Sequence, residues 1–210
     1  MASLENAVYT AIEEKILTGV FLPGEALTEA RICRETGASR TPVREALHHL
    51  ENDGLIRTLP NRSAVVVGIS REDLADIYEI RRRLEGLAAR RAAERVDDRR
   101  KRALFEIVEL QEFFLTRNEE KLKELDHTFH DAVYELCDSR MILSNLSRLH
   151  RQTGFFRRRS LLAEGRAAAS VAEHRAICEA ILSKDGDTAE RLMITHVENA
   201  YVNLIKVLEK

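Results

Sequence analysis

The stretch Leu125–Val133 reads LDHTFHDAV, two imidazoles and two carboxylates within nine residues. Imidazole nitrogens and carboxylate oxygens move protons and bind divalent cations, so which face of a helix each one occupies decides what the segment can do. With about 100° of turn per residue, Leu122, Leu125, Phe129, Val133 and Leu136 form an inward stripe on a helix over 119–138. Asp126 falls inside that stripe and His130 at its edge, one turn apart, whereas His127 and Asp131 point away. Two further histidines sit inside apolar stripes. His174 lies among Val171, Ile177, Cys178 and Ile181, and His196 among Ala189, Leu192, Met193, Ala200 and Val207. Three imidazoles and one carboxylate, carried by three helices, therefore aim at one core. A buried carboxylate left unpaired costs on the order of several kcal/mol. One shared cation would offset that, and so would an Asp–His hydrogen-bond network; periodicity leaves both open. Arg81 is the other polar intruder, mid-stripe among Leu74, Ile77, Leu84 and Ala88. An inward guanidinium calls for a carboxylate, either a ligand's or the protein's own. The runs Arg157–Arg159 and Arg99–Arg102 read as solvated surface, His48 and His49 as surface of the N-terminal part, and His150 lies at a stripe edge with no role assigned.

The elements that must position these groups divide the 210 residues in two. All three prolines and the strand-like runs fall before residue 70, and the pattern afterwards is helical without a proline, which sets a boundary between 1–70 and 71–210. SRED at Ser70–Asp73 has the form of a capping box opening a long helix. Helices are expected over 71–95, 98–116, 119–138, 140–159, 170–183 and 187–208, with a flexible junction at AEGRAAAS around Gly165. Alternating stripes and short polar turns imply an antiparallel bundle. The first part reads helix to Thr18, short helix Thr28–Thr36, third helix Arg40–Asp53 capped by Ser39, then LIRTLP and SAVVVGI as a hairpin. That order is a winged helix-turn-helix, so the fold class is mainly α, a winged helix-turn-helix followed by an all-helical antiparallel bundle. On the third helix Val43, Ala46, Leu47 and Leu50 share one side. Thr41, Arg44, Glu45 and His48 share the other, with Arg40 at its start, a pattern suited to a DNA major groove.

Composition narrows the classes. At 44% hydrophobic and 32% charged the chain is of ordinary globular make-up, and no apolar run approaches the ~18 residues of a membrane span. The acidic residues in MASLENAVYTAIEEKILTGVF argue against a secretory signal. Cys33, Cys137 and Cys178 show no pairing pattern, so a cytoplasmic location is expected. A net charge of −2 means that any DNA-binding surface is local. The inward set offers no general acid or base beyond the cation donors themselves, so an enzyme is not expected.

LPGEALTE, SRTPVREALHHLENDGLI and the hairpin resemble the DNA-binding domain of GntR-family transcription regulators over residues 5–70. The resemblance implies DNA contacts from Arg40, Thr41 and Arg44, to which the helix face adds His48, and places Asn61 and Arg62 at the wing tip. Many members carry a basic residue after the TE pair; here Ala30 stands there, which leaves Arg31 or Arg34 to supply the phosphate contact. Ser63 likewise replaces a usual glycine of the hairpin. LDHTFHDAVYE, AEHRAICEAI and AERLMITHVENA resemble the FCD effector domain of the FadR subfamily, in its metal-binding version, over about 73–203. This implies Asp126, His130, His174 and His196 as ligands of a divalent ion, zinc foremost with nickel or manganese open, and Arg81 as an effector-binding residue. The expectation is a homodimeric regulator of operator DNA that responds to a small carboxylate effector. A cation acting as the signal is the alternative, and a metal-dependent enzyme a more distant one.

Overall fold

The computed structural model describes residues 4–59 and 63–209. The chain falls into two compact units that meet at Leu74/Ala75.

In the first unit, α1 (Leu4–Leu17), α2 (Glu29–Thr36) and α3 (Arg40–Asn52) pack with three short strands, β1 (Ala26–Thr28), β2 (Ile56–Thr58) and β3 (Ser63–Val66). The sheet order is β1-β3-β2, and both pairings are antiparallel. Val43, Ala46 and Leu50 of α3 are fully buried against Val8 and Ile12 of α1 and Leu27 of β1, while Arg40, Thr41, Arg44 and His48 remain exposed. This is a winged helix-turn-helix. β1 was not expected. Its three residues are too few for alternation to register, and only pairing with β3 makes them a strand. Thr28 ends that strand and caps α2 by accepting from the Arg31 amide at 3.2 Å. Gly37 closes the same helix with φ of 69°, its amide returned to the Cys33 carbonyl. Ser39 holds the N-cap position of α3, but its side chain makes no capping bond, contrary to expectation.

The second part is helical throughout: α4 (Arg71–Arg95), α5 (Asp98–Phe114), α6 (Glu119–Leu136), α7 (Arg140–Gln152), α8 (Gly154–Leu161), α9 (Arg166–Leu182) and α10 (Gly186–Leu208). Ser70 and Asp73 cap α4 reciprocally: Ser70 Oγ accepts from the Asp73 amide at 3.0 Å, and the Asp73 carboxylate accepts from the Ser70 amide at 2.8 Å. Asn118 and Asp185 cap α6 and α10 by accepting from the Lys121 and Thr188 amides at 2.9 and 3.0 Å. Two boundaries differ from the sequence reading. The helix expected over 140–159 is two helices broken at Thr153–Gly154, and α9 starts at Arg166, straight after Gly165 in the left-handed region at φ of 74°. Phe129 and Val133 of α6, Ile177 of α9, and Met193, Val197 and Leu204 of α10 are fully buried. None of the described helices is long and apolar enough to cross a membrane.

Candidate metal centre

α6, α9 and α10 bring three imidazoles to one point. Nε2 of His196 lies 3.2 Å from Nε2 of His130 and 3.3 Å from Nε2 of His174, and all three side chains are buried. The opposite ring nitrogen of each is engaged. His130 Nδ1 meets Glu85 at 2.9 Å, His174 Nδ1 meets Gln111 Oε1 at 3.0 Å, and His196 Nδ1 meets Glu173 at 2.6 Å. The amide of Gln111 is oriented without ambiguity, because its nitrogen donates to the Leu125 carbonyl at 3.0 Å and so leaves the oxygen for His174. Three acceptors on three Nδ1 atoms put the protons there and leave three Nε2 lone pairs facing one another. Phe129, stacked 4.0 Å from the His174 ring, fixes that ring's plane.

Facing lone pairs repel unless a positive charge sits between them. Burial, reinforced by the Arg157 guanidinium, brings His130 down to about 4, and burial beside His196 holds His174 well below the usual imidazole range. On those two rings a proton is therefore a poor candidate for that charge near neutrality. Donors about 2.0 Å from a zinc-sized ion in tetrahedral geometry stand roughly 3.3 Å apart, close to the separations of His196 Nε2 from the other two nitrogens. The residues present fit a divalent cation.

Asp126 stands beside this triad. Its Oδ1 lies 3.9 Å from His174 Nε2, and its Oδ2 accepts from Arg157 at 2.6 Å. The Arg157 guanidinium keeps this carboxylate ionised in spite of burial. The reading of Arg157 as solvated surface is therefore wrong. Phe155 and Phe156 are buried and the Arg157 side chain beside them is only 9% exposed, whereas Arg158 and Arg159 stay exposed.

Arg81 is fully buried and donates through Nε to Glu85 at 2.7 Å, so its protein partner is the carboxylate that also holds His130. Its Nη1 has no hydrogen-bond partner among the described residues, and neither do Arg157 Nη1 and the Tyr78 hydroxyl. All three residues line one small cavity of about 20 Å³, together with Asp126, Arg166 and His196. Buried donors without acceptors cost about 1–3 kcal/mol each. A larger cavity of about 480 Å³ shares Asp126, Arg157 and Leu161 with it, so the Arg157–Asp126 ion pair lies in a wall common to both.

Glu85, Gln111 and Glu173 were missed as parts of the site, although two carried a signal. Glu85 follows Arg81 by one turn on α4, and Gln111 continues the buried spacing of Leu104 and Val108 on α5.

On the first unit, Arg40, Thr41, Arg44 and His48 share the exposed face of α3, and Arg44 is steadied by Glu29 at 2.8 Å. Arg31 is occupied by Glu25 at 2.6 Å and Glu35 at 2.9 Å and lies over the Phe21 ring, whereas Arg34 is exposed. Asn61 and Arg62 lie outside the described residues.

Comparison with known proteins covers both units. Residues 4–66 match the family described as bacterial regulatory proteins, gntR family, and residues 76–199 match the FCD domain. An uncharacterized HTH-type transcriptional regulator of Bacillus subtilis, YdhC, is 27% identical over 204 residues, spanning 96% of this chain and 91% of the relative. The gluconate operon transcriptional repressor of the same organism is 30% identical over 149 residues, 69% of this chain and 61% of the relative. Among solved structures, McbR/YncC of E. coli superposes with a TM-score of 0.73 at 21% identity, covering 98% of this chain and 99% of that one, a likeness of fold.

Proposed function

The chain is a DNA-binding transcription regulator that belongs to the gntR family and carries its FCD domain, and from that premise we propose that a small organic acid, bound beside a divalent cation in the helical part, modulates operator binding. The observation that carries the acid is the trio of buried donors, Tyr78 hydroxyl, Arg81 Nη1 and Arg157 Nη1, whose residues share a cavity and which have no acceptor among the described residues. The observation that carries the cation is the convergence of three imidazole Nε2 atoms whose other nitrogens are all engaged.

His130, His174 and His196 would hold the ion, with Asp126 as the adjacent carboxylate. The ion supplies positive charge and open coordination positions to a carboxylate oxygen. This chain's own residues do the rest. Glu85 and Glu173 keep two imidazoles in the ligating tautomer, and Gln111 does so for the third. Arg81 offers a fixed donor, held in place by Glu85. Arg157 is the movable one: an arriving carboxylate competes with Asp126 for the same guanidinium. At about 20 Å³ the inner cavity has room for one water-sized group, so binding an acid requires Arg157 and α8 to give way. That displacement is the change transmitted to DNA. The relative named for a gluconate operon makes a sugar acid one reasonable member of the effector panel.

In the DNA-binding part, Arg40, Thr41, Arg44 and His48 would approach base edges in the major groove. Arg34 would reach phosphate more readily than Arg31, with Asn61 and Arg62 at the wing. The uncapped start of α3 leaves amides suited to phosphate. A homodimer reading a pseudo-palindromic operator completes the proposal.

The tightness of the inner cavity also favours a second reading, in which the cation is itself the signal. The two are separated by measuring operator affinity with the cation alone and with cation plus acid. Elemental analysis of the dialysed protein, alongside His130→Ala and His196→Ala, tests the common premise. Near one equivalent in the wild type, lost in both variants, is expected; no uptake on addition of cation would leave a hydrogen-bonded histidine core instead.

A further inference from the structure

The two outward residues of LDHTFHDAV do not end in solvent alone. Asp131 stands one turn after His127 on α6 and faces His150 of α7. Its Oδ2 lies 3.1 Å from His127 Nε2 and its Oδ1 lies 3.3 Å from His150 Nδ1. The donor atoms of the three side chains all lie within 4.8 Å of one another, and the two rings are 4.2 Å apart. His150 is 2% exposed, while the side chains of His127 and Asp131 are 56% and 41% exposed, so the cluster is rooted in the core and open to water. Its two imidazoles border the cavity of about 480 Å³ whose wall includes Asp126.

We propose that His127, Asp131 and His150 form a second site for a divalent transition-metal cation, shallower and weaker than the inner centre. Two imidazoles and one carboxylate are the donor set that zinc, nickel and copper accept with coordination positions left for water. The Asp131 carboxylate reaches both rings, one oxygen to each at 3.1 and 3.3 Å, and one donor atom from each of the three side chains lies within 4.8 Å of the others, close enough to share one such ion. Three protein donors, two of them exposed, give lower affinity than a buried set, because they must be ordered on binding. The site stands on its own geometry and does not depend on the inner centre being occupied.

The test is zinc uptake by the full-length protein, stripped with a chelator and dialysed, then titrated with zinc chloride by calorimetry and checked by elemental analysis. Wild type is expected to take about two equivalents in two phases. His127→Ala and Asp131→Asn, both at exposed positions, should each lose the weaker phase and keep the tighter, and His196→Ala the reverse. An uptake that persists in His196→Ala but vanishes in His127→Ala would uphold the outer site and reject the inner one. Equal stoichiometry in wild type and His127→Ala would overturn the outer site, and no uptake by wild type would remove both.

Discussion

Gln111→Leu isolates the argument about tautomers. The substitution keeps the volume of a fully buried side chain and touches no proposed ligand. It removes the acceptor that holds the His174 Nδ1 proton and the donor that meets the Leu125 carbonyl. Without that acceptor His174 is free to carry its proton on Nε2, which withdraws one of three lone pairs from the centre. Loss of a partner of this kind lowers metal affinity by about 10–100-fold, which at 1.36 kcal/mol per decade is roughly 1.4–2.7 kcal/mol. The metal-free protein should also lose about 1–3 kcal/mol for the buried groups left unsatisfied. Competition against a chromophoric zinc chelator reads the first quantity and denaturant unfolding of the stripped protein the second. Gln111→Glu separates them. It keeps an acceptor for His174, loses the donor to Leu125 and adds a buried charge, so affinity should not fall while stability does. Unchanged zinc affinity in Gln111→Leu, with the protein folded, would refute the idea that these outer partners set the site.

Other consequences are open to direct measurement. Arg157→Ala removes a cation from beside Asp126, so the variant should bind zinc more tightly than wild type and lose its response to the acid, read by calorimetry and by operator titration. Arg44→Ala should cost about 1–3 kcal/mol of operator affinity and relax specificity at one base position, measured by fluorescence anisotropy on single-base variants. Metal-free protein should be most stable above about pH 7. His130 is held down to about 4, so between 6.5 and 4 the unfolded chain takes a proton that the folded chain refuses. Stability is therefore lost as the pH falls through that window, by roughly 3 kcal/mol for this residue once the pH is below about 4. The midpoint of urea unfolding followed from pH 8 to pH 4 checks the sign.

The helical skeleton was legible because its apolar stripes are long, and the inward aim of His130, His174 and His196 followed from the same periodicity. What lay between the helices was not. Whether Arg81 met a ligand or a protein carboxylate depended on the rotation of Glu85 about the same helix, and the structure gives it the protein carboxylate while leaving Nη1 without a partner among the described residues. Arg157 was hidden by its neighbours, since three consecutive arginines read as one charge run until Phe155 and Phe156 choose the buried side. The break at Gly154 was visible in the letters, but helical periodicity on both sides carried the reading through it. His150 could not be assigned at all, because its partners, Asp131 and His127, come from a face of α6 whose covering by α7 no single-helix pattern records.

The most direct test of the central claim is operator affinity as a function of added acid. A DNA fragment selected by the full-length protein from a random pool would be titrated with zinc-loaded protein by fluorescence anisotropy, with and without a panel of small carboxylates, and again with His196→Ala. At least one acid should shift the wild-type Kd by about 5–150-fold, and operator DNA should shift acid affinity by the same factor, while His196→Ala binds DNA and ignores the acid. A Kd that no carboxylate moves, or a shift that survives His196→Ala undiminished, would contradict the claim that an acid at the metal centre governs DNA binding.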